Sequence, residues 1–139
     1  MTNRSLPRYR VYWKIAVVFD ERDHRPTYHG RTYDLTLEGT GMLHHKDVFT
    51  DFPVKILLAI PPFHRDRRPK VIEIKARQAY SVYSGETSCF RLGLEFASFK
   101  RDGLTILTDA LSRHRALLGG QSTTRVPIEF GAGEDFEYP

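Results

Sequence analysis

The stretch V-Y-W-K-I-A-V-V-F at residues 11–19 decides the fold class of this chain. Large apolar residues occupy every second position, and Tyr12, Lys14 and Ala16 stand between them. This alternation is the period of a strand that has one face in a core and the other in solvent. The sequence therefore predicts that the folded part of the chain opens with a half-buried β-strand.

More strand-like stretches follow the first, separated by turn residues such as Pro61-Pro62 and Gly85. The predicted strands lie at residues 27–37, 41–45, 54–60, 70–83 and 88–96. After residue 99 the apolar spacing changes to that of a helix, which is predicted at residues 102–118 and ended by Gly119-Gly120. Short antiparallel strands followed by one helix are typical of a mainly β fold, either a sandwich or a small barrel, with the helix over an open end or face.

The charge of the chain is unevenly distributed. The formal net charge over 139 residues is +4, but residues 119–139 hold one arginine against four carboxylates and so carry −3. Residues 1–118 therefore carry +7. A basic body implies an anionic partner, which is a nucleic acid, a phosphorylated small molecule or an acidic protein face. We expect the acidic residues 119–139 to form a mobile tail or a docking segment.

Several classes of function are disfavoured by the sequence. It contains no Gly-x-Ser-x-Gly elbow and no phosphate-binding Walker loop, so no catalytic constellation is found. The only cysteine, Cys89, lies within an apolar stretch and is expected to be a buried small hydrophobe. We predict no enzymatic activity, no metal site and no cofactor. The polar N-terminus and the lack of a long apolar run lead us to expect a cytoplasmic protein that does not insert into membranes.

Two short motifs suit the binding of an anion and a base. Arg4 and Arg8 lie four residues apart, and Pro7 keeps the chain between them extended. An arginine fork grips a phosphate in bidentate fashion or stacks on a base. Asp34 and Thr36 are two residues apart, so both side chains face the same way on an extended chain.

The second motif ends at Gly39, which permits a positive φ and a close approach of backbone to ligand. The Asp34 carboxylate is suited to accept hydrogen bonds from the ring N–H and the exocyclic amine of guanine. Taken alone, D-x-T-x-x-G is also an ordinary tight-turn sequence, in which Asp34 bonds only to its own backbone.

Together, R-x-x-x-R at residues 4–8 and D-x-T-x-x-G at residues 34–39 resemble the motifs of the PilZ domain family. The lead-in P-R-Y-R-V at residues 7–11 and the stretch R-L-G-L-E-F at residues 91–96 are similar to those of the same family. The resemblance covers residues 4–118. It implies a six-stranded antiparallel barrel with a C-terminal α-helix, and it implies binding of cyclic di-GMP.

The resemblance also implies a role for each motif residue. Arg4 and Arg8 would hold phosphates and guanine Hoogsteen edges, Asp34 would accept from guanine, and Thr36 and Gly39 would shape the turn and contact the ligand. The family commonly has serine at the position of Thr36.

Two neighbouring positions bear on how the ligand is held. Many members of the family have an additional arginine where this chain has Asn3, and that position affects whether one or two ligand molecules bind; we lean to one. Arg10 is either a further phosphate ligand or an exposed strand residue.

The resulting prediction is a non-enzymatic cyclic di-GMP receptor with three parts: a flexible ligand-binding arm at residues 1–10, the barrel and helix at residues 11–118, and the acidic tail at residues 119–139. Binding would order the arm and so signal to a protein effector that the sequence does not identify, in motility or biofilm formation. We expect no DNA or RNA partner. The alternatives are a PilZ-like interaction module in pilus or motility machinery that binds no nucleotide, and a barrel that binds single-stranded nucleic acid.

Overall fold

A computed structural model of the chain describes residues 6–62 and 67–118, with side chains as far as residue 113. Arg4 and the tail at residues 119–139 lie outside these residues. The described elements are six strands and one α-helix, joined in part by a single turn of 3-10 helix at Glu21–Asp23. They are β1 (Lys14–Val18), β2 (Tyr28–Leu35), β3 (Gly39–His44), β4 (Val54–Ile60), β5 (Lys70–Ser84), β6 (Cys89–Phe99) and α1 (Gly103–Leu118).

The six strands form a closed antiparallel barrel in the order β1-β2-β3-β6-β5-β4, and β1 pairs with β4 to close it. Closure gives each strand two neighbours and so removes the free edges of an open sheet. The predicted mainly β class, with six antiparallel strands and a C-terminal helix, is confirmed. Of the two architectures that the strand pattern allowed, the barrel is correct and the sandwich is wrong.

The barrel interior is filled by the apolar residues that alternate along the strands. Ile56, Leu58 and Ile74 are completely buried at its centre. Helix α1 adds Leu107 and Leu111 to the same core, so the helix is part of the packed interior rather than an appendage. Further core residues come from the other strands and from the lead-in to the barrel, including Val11, Trp13, Ile15, Val17, Leu92 and Leu94.

Strand β1 begins at Lys14, three residues later than the alternation predicts. Val11 and Trp13 are buried as expected, but the backbone N–H of Trp13 donates to the Thr32 side-chain hydroxyl over 2.9 Å instead of to a carbonyl of β2. The same hydroxyl donates to the Val11 carbonyl. A side chain thus replaces one rung of the ladder, and regular pairing starts only beyond it.

The chain is already fixed against the barrel before β1. The backbone N–H of Tyr9 donates to the Leu35 carbonyl, and the Leu35 N–H donates to the Tyr9 carbonyl, each over 2.9 Å. The Tyr9 side chain is buried. This pair of bonds ties the segment that follows Arg8 to the end of β2, where the second motif begins.

We expect Thr32→Val to lower the free energy of unfolding by about 1–3 kcal/mol, because the Trp13 N–H and the Val11 carbonyl would lose their partner inside the barrel. Thr32→Ser is the matched control, since it keeps the hydroxyl and loses only a methyl group. Urea unfolding of both variants measures the difference. A valine variant as stable as the serine variant would show that the hydroxyl does not join these segments.

Candidate ligand site

The Asp34 carboxylate is held on the outer wall of the barrel at the end of β2. The register between β2 and β3 shifts between Thr32 and Asp34, and such a bulge redirects the side chains beside it. One carboxylate oxygen, Oδ1, accepts a hydrogen bond from the Gly41 backbone N–H over 3.1 Å. The other, Oδ2, lies 3.5 Å from Nη1 of Arg8. The two motifs therefore meet in space.

Arg8 is the more exposed partner in this contact, because its side chain is 66% exposed while that of Asp34 is 23% exposed. An exposed ion pair at this distance contributes little to stability. The guanidinium is therefore free to exchange the carboxylate for a stronger anionic partner at small cost.

Thr36 shapes the turn between β2 and β3. Its hydroxyl oxygen accepts from the backbone N–H groups of Glu38 and Gly39, over 3.0 and 3.1 Å. The Thr36 N–H donates to the Gly39 carbonyl over 2.9 Å and closes the hairpin. These bonds use the hydroxyl, so the threonine at this position performs the turn function without a serine.

Gly39 lies where two strands pack closely. It does not adopt a positive φ but lies at the start of β3, opposite Glu95 of β6. A Cβ at this position would lie 2.5 Å from the carbonyl oxygen of Leu94. The glycine therefore allows β3 and β6 to approach each other closely, and the positive φ that a glycine permits is not used here.

The motif residues surround a shallow depression of about 200 Å³ on the barrel wall. Arg8, Asp34, Thr36 and Gly39 all line it, so four of the five predicted site residues come together; Arg4 lies outside the described residues. The other lining residues are Glu38, Thr40, Gly41, Ala79, Tyr80, Gly93, Leu94 and Glu95.

Tyr80 and Gly93 also line this depression, although the sequence motifs did not predict them as site residues. Tyr80 of β5 pairs with Gly93 of β6, and a Cβ on Gly93 would overlap the Tyr80 ring. The ring thus lies over the glycine, and Tyr80 remains 43% exposed. An exposed aromatic ring offers a face on which a base can stack. The stretch R-L-G-L-E-F pointed to Gly93, but nothing in the sequence signalled Tyr80.

Arg10 does not line the depression. It is exposed and precedes β1, and its guanidinium lies 4.7 Å from the centre of the Tyr33 ring. Arg91 lies 4.3 Å from the centre of the same ring. Both cations are therefore placed by cation–π contact with Tyr33, beside the depression rather than in it.

The charge of the described lining is a constraint on any ligand. Arg8 is the only cation among the described residues that line the depression, against the carboxylates of Asp34, Glu38 and Glu95. Such a lining favours a ligand with several hydrogen-bond donors, and an anionic ligand needs cations beyond those lining the depression.

Four larger depressions lie elsewhere on the described surface, and none of them is lined by Arg8, Asp34, Thr36 or Gly39. One of them, of about 610 Å³, lies where β1, β4 and β5 meet the end of β6. Two of its lysines, Lys55 and Lys100, already face Glu73 at 3.9 and 3.5 Å. Size therefore does not identify a ligand site, and the candidate site is the depression where the motif residues converge.

Two reactive side chains, those of Cys89 and His44, are packed against their surroundings. Cys89 is buried, and burial raises the pKa of its thiol, which disfavours the thiolate. The His44 ring stacks on Tyr28 with 4.0 Å between ring centres, and burial lowers the pKa of His44 to about 4. Among residues 6–62 and 67–113, no three His, Cys, Asp or Glu side chains cluster to hold a metal. No helix in the described part has the length and apolarity of a membrane span.

Several solved structures share the fold of this chain, although sequence comparison finds no relative. No family model and no curated protein matches the sequence. Among solved structures, the chain is similar to the inhibitor of motility MotI/DgrA from Bacillus subtilis, with a TM-score of 0.66 and 11% identity, over 87% of this chain and 54% of that one. It is also similar to the MrkH–c-di-GMP complex of K. pneumonia, with a TM-score of 0.58 and 14% identity, over 88% of this chain and 56% of that one.

A third structure, the PilZ domain with c-di-GMP of YcgR from Escherichia coli, aligns with a TM-score of 0.47 and 14% identity, over 86% of this chain and 99% of that one. The chain spans just over half the length of the first two structures. At 11% and 14% identity, the likeness to the first two structures establishes the architecture. The chain has a PilZ-like fold, as the sequence motifs predicted.

Proposed function

We propose that this chain is a non-enzymatic receptor for cyclic di-GMP and that it binds the nucleotide through Arg4, Arg8, Asp34, Thr36 and Gly39. The observation that carries the proposal is the meeting of Arg8 with a fixed Asp34 carboxylate over an open, glycine-lined wall. The similar structure of MrkH was solved as a complex with c-di-GMP, which supports the same ligand class for this fold.

Asp34 would read the guanine base. Its Oδ2 oxygen faces only Arg8 among the described partners, and a carboxylate oxygen has two lone pairs, so the group can accept from N1–H and N2–H₂ of guanine. Adenine lacks this pair of adjacent donors. As the base arrives, Arg8 would turn from Asp34 to the phosphate or to the guanine N7 and O6 acceptors, both of which suit a guanidinium.

Tyr80 would supply the second contact with the base. Its ring lies over Gly93, is 43% exposed and lines the same depression as Asp34. Stacking of a base on an aromatic side chain contributes about 1–3 kcal/mol in nucleic-acid complexes. Tyr80 and Asp34 would thus hold the face and the edge of one guanine.

The N-terminal arm would complete the site. Ligand pockets usually enclose about 300–1,000 Å³, whereas this depression encloses about 200 Å³, so the wall alone leaves a cyclic dinucleotide uncovered. Its two phosphates also need cations beyond Arg8. We propose that residues 1–8 fold over the ligand and bring Arg4 to it. Because Tyr9 is already bonded to Leu35, the ordering concerns the residues before Tyr9.

Ordering of the arm would change its contacts with helix α1. Leu6 and Pro7 line a small apolar cavity together with Leu37 of the hairpin turn and Leu111 of α1. A change in the arm would therefore alter the surface that the arm and the helix offer to a protein effector. The similarity to MotI/DgrA, an inhibitor of motility, supports motility as one process under such control.

Calorimetry with cyclic di-GMP tests the proposal. We expect binding at micromolar concentration or tighter and much weaker binding of linear GMP. Arg8→Ala should lower the affinity at least tenfold, because one charge-assisted contact is worth about 1.5–3 kcal/mol and tenfold corresponds to about 1.4 kcal/mol. Arg22→Ala is the matched control, since Arg22 is also exposed and ion-paired, with Asp20. Absence of heat with folded wild-type protein would overturn the receptor and leave the nucleotide-independent interaction module.

A second prediction concerns base choice. In Asp34→Asn the amide oxygen keeps its bond to the Gly41 N–H, while the NH₂ group presents donors where guanine also donates. We expect weaker binding of cyclic di-GMP and a smaller preference for it over cyclic di-AMP, with little loss of stability. Titration with both dinucleotides and a thermal melt measure this. An unchanged preference would mean that Asp34 serves only the turn and that the base is read elsewhere.

A further inference from the structure

A groove of about 520 Å³ separates helix α1 from the end of β4 and the start of β5. Ile60 and Ala110 form its buried apolar floor, and Ile106 and two prolines extend that floor towards the surface. Among the described residues, none that lines the groove also lines the candidate ligand site. An occupant of the groove would therefore be distinct from the nucleotide.

The rim of this groove is basic. Arg67, Arg68 and Lys70 are exposed and lie on the β5 side, and none of them forms an ion pair with another described residue. On the helix side, Arg113 is paired with Asp109 at 2.6 Å, and Asp109 is the only carboxylate among the described lining residues. An apolar floor below these exposed cations suits a segment that has both aromatic side chains and carboxylates.

The chain contains such a segment beyond α1. Residues 134–138 read E-D-F-E-Y, which places three carboxylates around Phe136 and beside Tyr138. This segment accounts for most of the negative charge of residues 119–139, which oppose a body of charge +7. Its aromatic residues match the apolar floor of the groove, and its carboxylates match the basic rim.

The segment is also tethered within reach of the groove. Arg113 lies five residues before the end of α1 at Leu118, which is about 7.5 Å along a helix axis. The fifteen residues at 119–133 span up to about 50 Å when extended, so they can turn back with slack. A short tether gives an effective concentration in the millimolar range, so even a weak contact is populated.

We propose that residues 134–138 dock in this groove of the same molecule, with Phe136 on the apolar floor against Ile106 and Ala110. The carboxylates of the segment face Arg67 and Arg68. The docked segment shields the groove from other acidic partners. This inference does not rest on the nucleotide site, and it holds whether or not cyclic di-GMP binds.

A nitroxide label on Ala132→Cys in the full chain tests the docking. The label reacts selectively with the new cysteine, because Cys89 is buried and burial raises the pKa of its thiol. We expect the label to broaden the amide signals of Ile106 and Ala110. Arg67→Glu with Arg68→Glu should abolish the broadening. Lys75→Glu with Arg77→Glu, the same charge change at exposed positions further along β5, should leave it intact.

A charge swap completes the test. Adding Glu134→Lys and Asp135→Lys to the Arg67→Glu and Arg68→Glu protein should restore the broadening, because the two charge patterns are complementary again. Equal broadening in the groove variant and in the control variant would overturn the proposal. Broadening that persists when labelled protein is mixed with separate isotope-enriched protein would also overturn it, because the occupant would then be a second copy of the chain.

Discussion

One hydrogen bond fixes the chemistry of the outer wall, the bond from the Gly41 backbone N–H to the Asp34 carboxylate. The bond joins β2 to β3 beside a bulge. It holds the Asp34 carboxylate on the outer wall of the barrel. A hydrogen bond to a charged group is worth about 1.5–3 kcal/mol, enough to fix the orientation of the side chain. The contact with Arg8 and the proposed recognition of guanine both depend on that orientation.

The flatness of the wall around Asp34 follows from close packing of strands. Glycines at 39 and 93 stand where side chains would meet the Leu94 carbonyl oxygen and the Tyr80 ring. A Cβ at Gly41 would lie 3.0 Å from Oδ1 of Asp34, so the glycine leaves room for the carboxylate to bond the backbone. Small residues thus serve the barrel and the site at the same time.

The parts of the fold that depend on local periodicity were predictable from the sequence. Alternation located the strands and the change of spacing located α1, because the burial of one face imposes each period. Alternation does not distinguish a sandwich from a barrel, and the barrel was predicted only through the family resemblance. The start of β1 was wrong because the Thr32 side chain takes the place of a backbone partner, which no period reveals.

Some residues of the candidate site were also predictable from the sequence, and others were not. Arg8, Asp34, Thr36 and Gly39 were found because their spacing forms motifs, and the structure brings them together. Tyr80 was missed because its place over Gly93 depends on a register shift between Gln78 and Tyr80 in the pairing of β5 with β6. Shifts of this kind arise from contacts between distant segments.

Amide chemical-shift mapping tests most directly whether the Asp34 wall is where cyclic di-GMP binds. The largest changes on addition of the dinucleotide should fall on Gly39, Gly41 and Gly93, and Tyr80 should change with them. Val18 and Lys100, which line the depression of about 610 Å³, should change little. Changes centred on Val18 and Lys100, or no changes at saturating ligand, would contradict the account.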